Sequence, residues 1–147
     1  MSAVADLQTY LDDQGIIDGS TDWPSVRRRL HDGTVAEPVN QLVVLTEDGG
    51  PQPETPADEG MGDCAWRFPT VQVRVRGDRL DSDAAEAKAQ EIYDALHGQL
   101  GVTMGEVEYA GVHALSEPLF IGFDEKGRPE FTFSVQMTRP VRIPASL

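Results

Sequence analysis

PTVQVRVRGDRLDSDAAEAKAQEIYDALHG, Pro69 to Gly98, is the stretch that decides the fold. Val71, Val73 and Val75 alternate with Gln72, Arg74 and Arg76, which is a strand with one apolar and one polar face. Gly77 and Asp78 break it. Ala85, Ala89, Ile92 and Leu96 then recur at spacings of four, three and four, the signature of a helix with one buried stripe. A strand and a helix stand back to back here, each with one apolar face that the rest of the chain must cover.

Working outward, residues 2–14 read as a helix: Ser2 can cap it, Val4, Leu7 and Leu11 share a stripe, and Gly15 can end it. Asp12 and Asp13 sit at the wrong end for the helix dipole, so this helix needs tertiary packing, with Ile16 and Ile17 anchoring its exit. Residues 18–38 are rich in turn formers, and a short helical turn is expected through Ser25–Leu30. Gln41 to Thr46 holds LVVL between Pro38 and Gly49-Gly50 and reads as a buried strand.

In the other direction, Gln99 to Gly105 reads as a connector and Glu106 to Leu115 as a strand. Leu119, Ile121 and Phe123 alternate as a further strand, and Asp124 to Arg128 read as a hairpin loop in which Gly127 takes positive φ. Phe131, Phe133, Val135 and Met137 alternate with Thr132, Ser134, Gln136 and Thr138, the clearest amphipathic strand in the chain. Pro140 and Pro144 limit its pairing and place it at an edge. The expected fold class is α+β: an antiparallel or mixed sheet of four to five strands with helices packed on one face, in one domain spanning residues 1–147. The sheet's other side, bearing Gln72, Arg74, Arg76, Thr132, Ser134 and Gln136, is expected to face water or a polar partner.

Residues 47–64, EDGGPQPETPADEGMGDC, differ in kind: four glycines, three prolines, six acids and no Lys or Arg. Such a composition cannot bury a core and predicts a flexible loop, either a binding segment or a tolerated insertion.

Charge and cysteine usage exclude several classes. Lys+Arg number 12 against 25 Asp+Glu, a net charge of −13 at pH 7. An acidic chain repels nucleic-acid phosphates, so a DNA-reading module is not expected, although DNA can slide past such a surface without sticking. The lone Cys64 forbids an intrachain disulfide and suits a reducing compartment. The first residues, MSAVADLQTY, lack a basic-then-apolar signal region, and no apolar run approaches the roughly 20 residues that span a bilayer. The chain therefore reads as soluble, unexported and without membrane contact.

No reaction is announced. Cys64 falls in the acidic loop, and none of His31, His97 and His113 stands in a nucleophile motif. His97 lies in a last helical turn, where a partial positive charge suits the dipole. No spacing of Cys and His matches a zinc site, and Asp81-Ser82-Asp83 with Glu86 lacks the glycine and spacing of a calcium loop. Asp81 or Ser82 as helix cap explains that cluster better. No Gly-Lys-Ser/Thr follows Gly49-Gly50 or Gly77, so no phosphate loop is present. No catalytic residue, cofactor or metal is expected.

Two basic groups remain. Arg27-Arg28-Arg29 either meets a partner's acids or forms a solvated face. Arg74 and Arg76 share the polar sheet face and pair with carboxylates of a neighbouring copy or of their own. With Met137 and Arg139 on the presumed edge strand, they are the candidate subunit-interface residues.

The order and local wording of the chain resemble the tail terminator proteins (also called minor tail or tail completion proteins) of long-tailed bacteriophages. The resemblance runs through a short N-terminal helix, LVVLTEDGG, a Pro-rich loop, PTVQVRVRG, an alanine-rich helix ending IYDALHG, then PLFIGFDEKGRPEFTFSVQM. Its most telling pieces are Val-Gln-Val-Arg-Val-Arg-Gly ahead of an Ala-x-x-x-Ala helix, and Gly-x-Asp-x-x-Gly-Arg ahead of an alternating strand. The resemblance implies a structural virion protein without catalytic activity. It implies a hexameric ring at the head-proximal end of the tail tube that ends tail polymerisation and joins the head connector. The implied partners are further copies, the tail tube protein and the connector or stopper protein, with genomic DNA passing through the lumen unbound. The alternatives are another head–tail connector component, such as a stopper or head-completion protein, and a monomeric acidic binding module.

Overall fold

A computed structural model describes residues 3–19, 21–29, 41–47 and 64–142. Among them the elements run α1 (Ala3–Asp13), β1 (Ser25–Arg29), β2 (Leu42–Glu47), β3 (Cys64–Arg67) and β4 (Thr70–Arg76). Then follow α2 (Ser82–Leu96), β5 (Gln99–Met104), β6 (Val107–Ala114), β7 (Leu119–Phe123) and β8 (Pro129–Arg142). The fold is α+β with a mixed sheet, as expected, but the described sheet has eight strands rather than four to five.

The sheet is built around β8. Its order is β1-β2-β4-β8-β6-β5, with β3 and β7 also paired to β8. On one side β3 takes residues 139–142 of β8 and β4 takes 130–136, with the break at Phe68-Pro69 bridged by the Met137 amide donating to the Pro69 carbonyl. On the other side β6 takes 135–138 and β7 takes 129–132, bridged by the Leu115 amide donating to Ser134. One long strand is thus flanked on both sides by a broken one. The edge position expected from Pro140 is not what forms: β8 is the hub. Pro140 lies opposite Trp66, beside the break in the neighbouring strand.

Two further expectations are corrected. Ser25–Arg29 is a strand, paired parallel to β2, and not a helical turn. Ser25 decides this locally: its amide and hydroxyl both donate to the Asp18 carboxylate, and its hydroxyl accepts from Gln8 of α1 at 2.7 Å. A five-residue segment held that way gains more from β2 than from an isolated turn with its nucleation cost. Gln99–Met104 is likewise a strand, tied to β6, where a connector was expected. Of the expected loop, Glu47 closes β2 and Cys64 opens β3, and residues 48–63 lie outside the described residues.

The core follows the alternation. Val71, Val73 and Val75 of β4, Phe133, Val135 and Met137 of β8, and Val43 and Leu45 of β2 join Leu7 and Leu11 of α1 and Ala85, Ala89, Ile92 and Leu96 of α2 in one hydrophobic cluster. Ile16 and Ile17 are buried as expected. Lys88 of α2 ties that exit down, donating to the Ile16 carbonyl at 2.9 Å and sitting 5.7 Å from the centre of the Trp23 ring. Asp81 caps α2, accepting from the Ala84 amide. Gly77 is required by close approach, since a Cβ there would come within 2.8 Å of the Ala85 Cβ. The opposite sheet face is not purely polar: Leu42, Val44 and Arg76 are all buried. In register they lie beside Arg74 and Gln72, away from the helix-side cluster.

Candidate assembly surface

The structure distributes the basic candidates rather than gathering them. Met137 is fully buried in the helix-side core, and Arg76 is buried on the other face, so neither side chain is on offer to a neighbour. Arg74 is half-exposed and lies 3.8 Å from Glu130 of the adjacent strand, an ion pair within its own copy. Arg139 is half-buried, near enough to Tyr109 for its charge to favour the ionised hydroxyl. Arg27 is exposed on β1. Arg28 and Arg29 follow it in the same strand, but their side chains, like all of His31, lie outside the described residues.

Near Arg139 lies a buried polar group that the sequence reading missed. The Tyr109 hydroxyl donates to Asp6 of α1 at 2.6 Å, and both residues are fully buried. Burial first, then the Asp6 hydrogen bond and charge, push the Tyr109 hydroxyl well above its ordinary pKa, with Arg139 partly offsetting them. The signal was present: Asp6 lies within the apolar stretch of α1, one residue before Leu7. His97 has a structural role at the end of α2, with partners beyond the helix. Its Nδ1 accepts from the Ala114 amide at 3.0 Å and its ring stacks on Tyr93, so at the C-terminal cap of α2 it ties the helix to β6.

The surface without an internal role is β7. Leu119, Phe120, Ile121 and Phe123 are 62%, 45%, 46% and 54% exposed, whereas β2, β4 and β8 bury their large apolar side chains; elsewhere in the described sheet Leu100 of β5 and Trp66 of β3 are exposed singly. Simple alternation would put Leu119, Ile121 and Phe123 on one face. A bulge between Phe120 and Gly122 breaks it. Gly122 takes φ +113, a conformation open to glycine and strained for other residues. Phe120 then lies opposite Phe131, and Phe123 opposite Pro129, so both rings stand on the helix side, 5.3 Å apart and edge-on. With Phe131, and Ser82 and Glu86 of α2, they line a shallow cavity of about 370 Å³. LFIGF carries more large apolar groups than a half-buried strand can use, and that excess is the sequence signal for this surface.

The loop from β7 to β8 is rigidly built. Asp124 accepts from the amides of Lys126 and Arg128, each at 2.9 Å, and from the Arg128 guanidinium at 2.7 Å. Burial pushes the Asp124 carboxyl up, but these hydrogen bonds outweigh it and hold the group below the usual range. That is the physical content of Asp-x-x-Gly-Arg, and Gly127 takes positive φ as expected. No group of metal-ligating side chains occurs among the described residues, and no described helix is long and apolar enough to cross a membrane.

Against known families, a model described as bacteriophage tail terminator protein matches residues 51–140, more than half of the 147 residues. No individual curated protein matches the chain.

Proposed function

The chain belongs to the bacteriophage tail terminator family, and from that premise we propose that it closes the head-proximal end of the tail tube. Membership makes it a structural protein of the phage tail and so of the virion. In the proposed role six copies form a ring on the last tube layer, stop further polymerisation, and present a surface to the connector or stopper protein. Genomic DNA crosses the lumen without specific binding, and no chemistry is catalysed.

The observation that carries this reading is the family match itself, which spans β3 through most of β8 and includes the exposed β7. Two physical features support it. A net charge of −13 gives a lumen that repels phosphates and lets the genome slide. An apolar, solvent-facing strand beside a rigid hairpin suits contact with other protein surfaces.

Electron microscopy of the protein mixed with tail tubes of its phage tests the proposal. Rings capping one end of each tube, and tubes that no longer lengthen, are the expected result. Tubes that keep growing with bare ends at every salt concentration would overturn it.

A further inference from the structure

Both flanks of the described sheet end in a strand with an open edge. β1 ends one flank; the other ends in β5, and on that side β7, in line with β6, pairs only with β8, so its outer edge has no strand partner among the described residues. The two differ in charge. β1 reads SVRRR and exposes Arg27. Around β7 stand exposed acids: Glu86, which lines the Phe120–Phe123 cavity, Asp83 one turn earlier in α2, and Glu117 and Glu125 on either side of the strand; the exposed bases Lys126 and Arg79 stand only at the hairpin end. The charges also lie in one layer. Arg27 is in register with Leu45, whose side chain is in the helix-side core, and Ser25, two residues earlier, is bonded to α1. Arg27 therefore stands on the helix side of the sheet, as does Glu86 of α2.

We infer that β7 takes β1 of a second copy, continuing the sheet from one copy into the next with Arg27 of one beside Glu86 of the other. The inference rests on the ring reading and names the contact that closes the ring. Both strands are five residues long. Edge pairing satisfies the open backbone groups of both strands and covers the apolar side chains of β7. Because the two edges lie on opposite flanks, the contact is head-to-tail, the kind that generates rings. Pairing β7 with β7 about a twofold axis would instead set Glu86 and its neighbouring acids against themselves, which charge repulsion disfavours.

The test uses the full chain and its tail tubes. Arg27→Glu and Glu86→Arg each change exposed side chains and should leave the unfolding midpoint in place. Each should weaken ring formation about tenfold, read as the concentration needed to cap tubes and by sedimentation velocity, and the double variant should recover it. Ile121→Asp should abolish rings in either background. A twofold β7 contact would be indifferent to Arg27→Glu, so that result overturns the inference while rings persist. Rings that survive Ile121→Asp overturn it as well. A wild-type chain that stays monomeric with and without tubes overturns both this inference and the ring reading.

Discussion

β4 and β7 pair with overlapping stretches of β8 from opposite sides, and their fates differ. The valines of β4 are fully buried, whereas the large side chains of β7 are about half exposed. Apolar content alone predicts the reverse ranking, since β4 alternates with polar residues whereas in LFIGF the alternating Leu119, Ile121 and Phe123 have a further apolar residue, Phe120, between them. The difference lies in what sits above. α2 packs over β4, β6 and β8, so their inward side chains are buried by folding. β7 lies beyond that cover, with only the first turns of α2 at its margin. Burial is set by the neighbouring layer, and an apolar strand outside it stays exposed among the described residues, a surface for another molecule to cover.

The largest expected effect breaks the comparison directly. Phe133 is buried, with its ring edge-on to Tyr93 at 5.8 Å. Phe133→Ala should destabilise the monomer by about 3–5 kcal/mol, the range for a large aromatic truncated in a core. Phe120→Ala should cost the monomer about 1 kcal/mol, since the ring is half solvated and loses mainly its contacts with Phe123 and Phe131. Urea unfolding gives both numbers, and tube capping should respond in the opposite order among variants that fold. Equal losses of stability would show that β7 belongs to the core.

A second test probes the Tyr109–Asp6 pair inside the buried region. Tyr109→Phe leaves Asp6 buried without its 2.6 Å donor and should cost about 1.5–3 kcal/mol at neutral pH, as for hydrogen bonds to charged groups. The pH dependence is distinctive. The Tyr109 pKa is raised in the folded state, so the unfolded chain loses that proton first, near pH 10. Its contribution is complete below that pH and declines above it, by about 1.4 kcal/mol per unit for one proton. Wild-type stability should therefore fall more steeply than that of the variant above pH 10, and parallel slopes would remove the buried pair from the account.

These contrasts also mark what could be read from the chain. Val71–Val75, the α2 stripe and Phe131–Met137 were legible because each carries a local period that the tertiary fold preserves. β1 and β5 were not, because Ser25–Arg29 and Gln99–Met104 carry no period and owe their strand form to partners 18 and 13 residues away, Val43 and Val112. Reading Pro140 as the mark of an edge strand failed for β8 as a whole, because β4, β6 and β7 all pair with it before residue 139; from Arg139 to Arg142 its described partner is β3 alone. The interface candidate Arg76 was assigned to a face by alternation, which says nothing of what covers that face, and Met137 was named for its place on an expected edge strand that is instead the hub of the sheet. The apolar surface on β7 was visible as composition but not as geometry, because the bulge that re-aims Phe123 depends on Gly122.

That glycine gives the third test. A Cβ at Gly122 meets no atom within 4 Å, so Gly122→Ala introduces backbone strain alone. Holding alanine at φ +113 should cost about 1–2 kcal/mol, or the bulge should relax. Relaxation would carry Phe123 to the other face and away from Phe120. Loss of ring-to-ring NOEs between the two, with tube capping weakened, is the expected outcome. Intact NOEs and unchanged stability would mean that the bulge does not depend on glycine.

The smallest effect returns to the polar face of β4, where a neighbour was first sought. Arg74 and Glu130 are 3.8 Å apart, and the Arg74 side chain is 39% exposed. At that distance and exposure water screens most of the attraction, and measured pairs of this kind contribute about 0–1 kcal/mol. Arg74→Gln should therefore move the urea midpoint little, and less still in high salt, because the Debye length shrinks to about 3 Å at 1 M. If the pair is only an internal one, tube capping should be equally indifferent. A variant that folds with an unchanged midpoint yet fails to cap tubes would place Arg74 in a contact between molecules. The apolar strand would then share its role with the opposite face of the sheet, and the ring interface would have to engage both sides of β8.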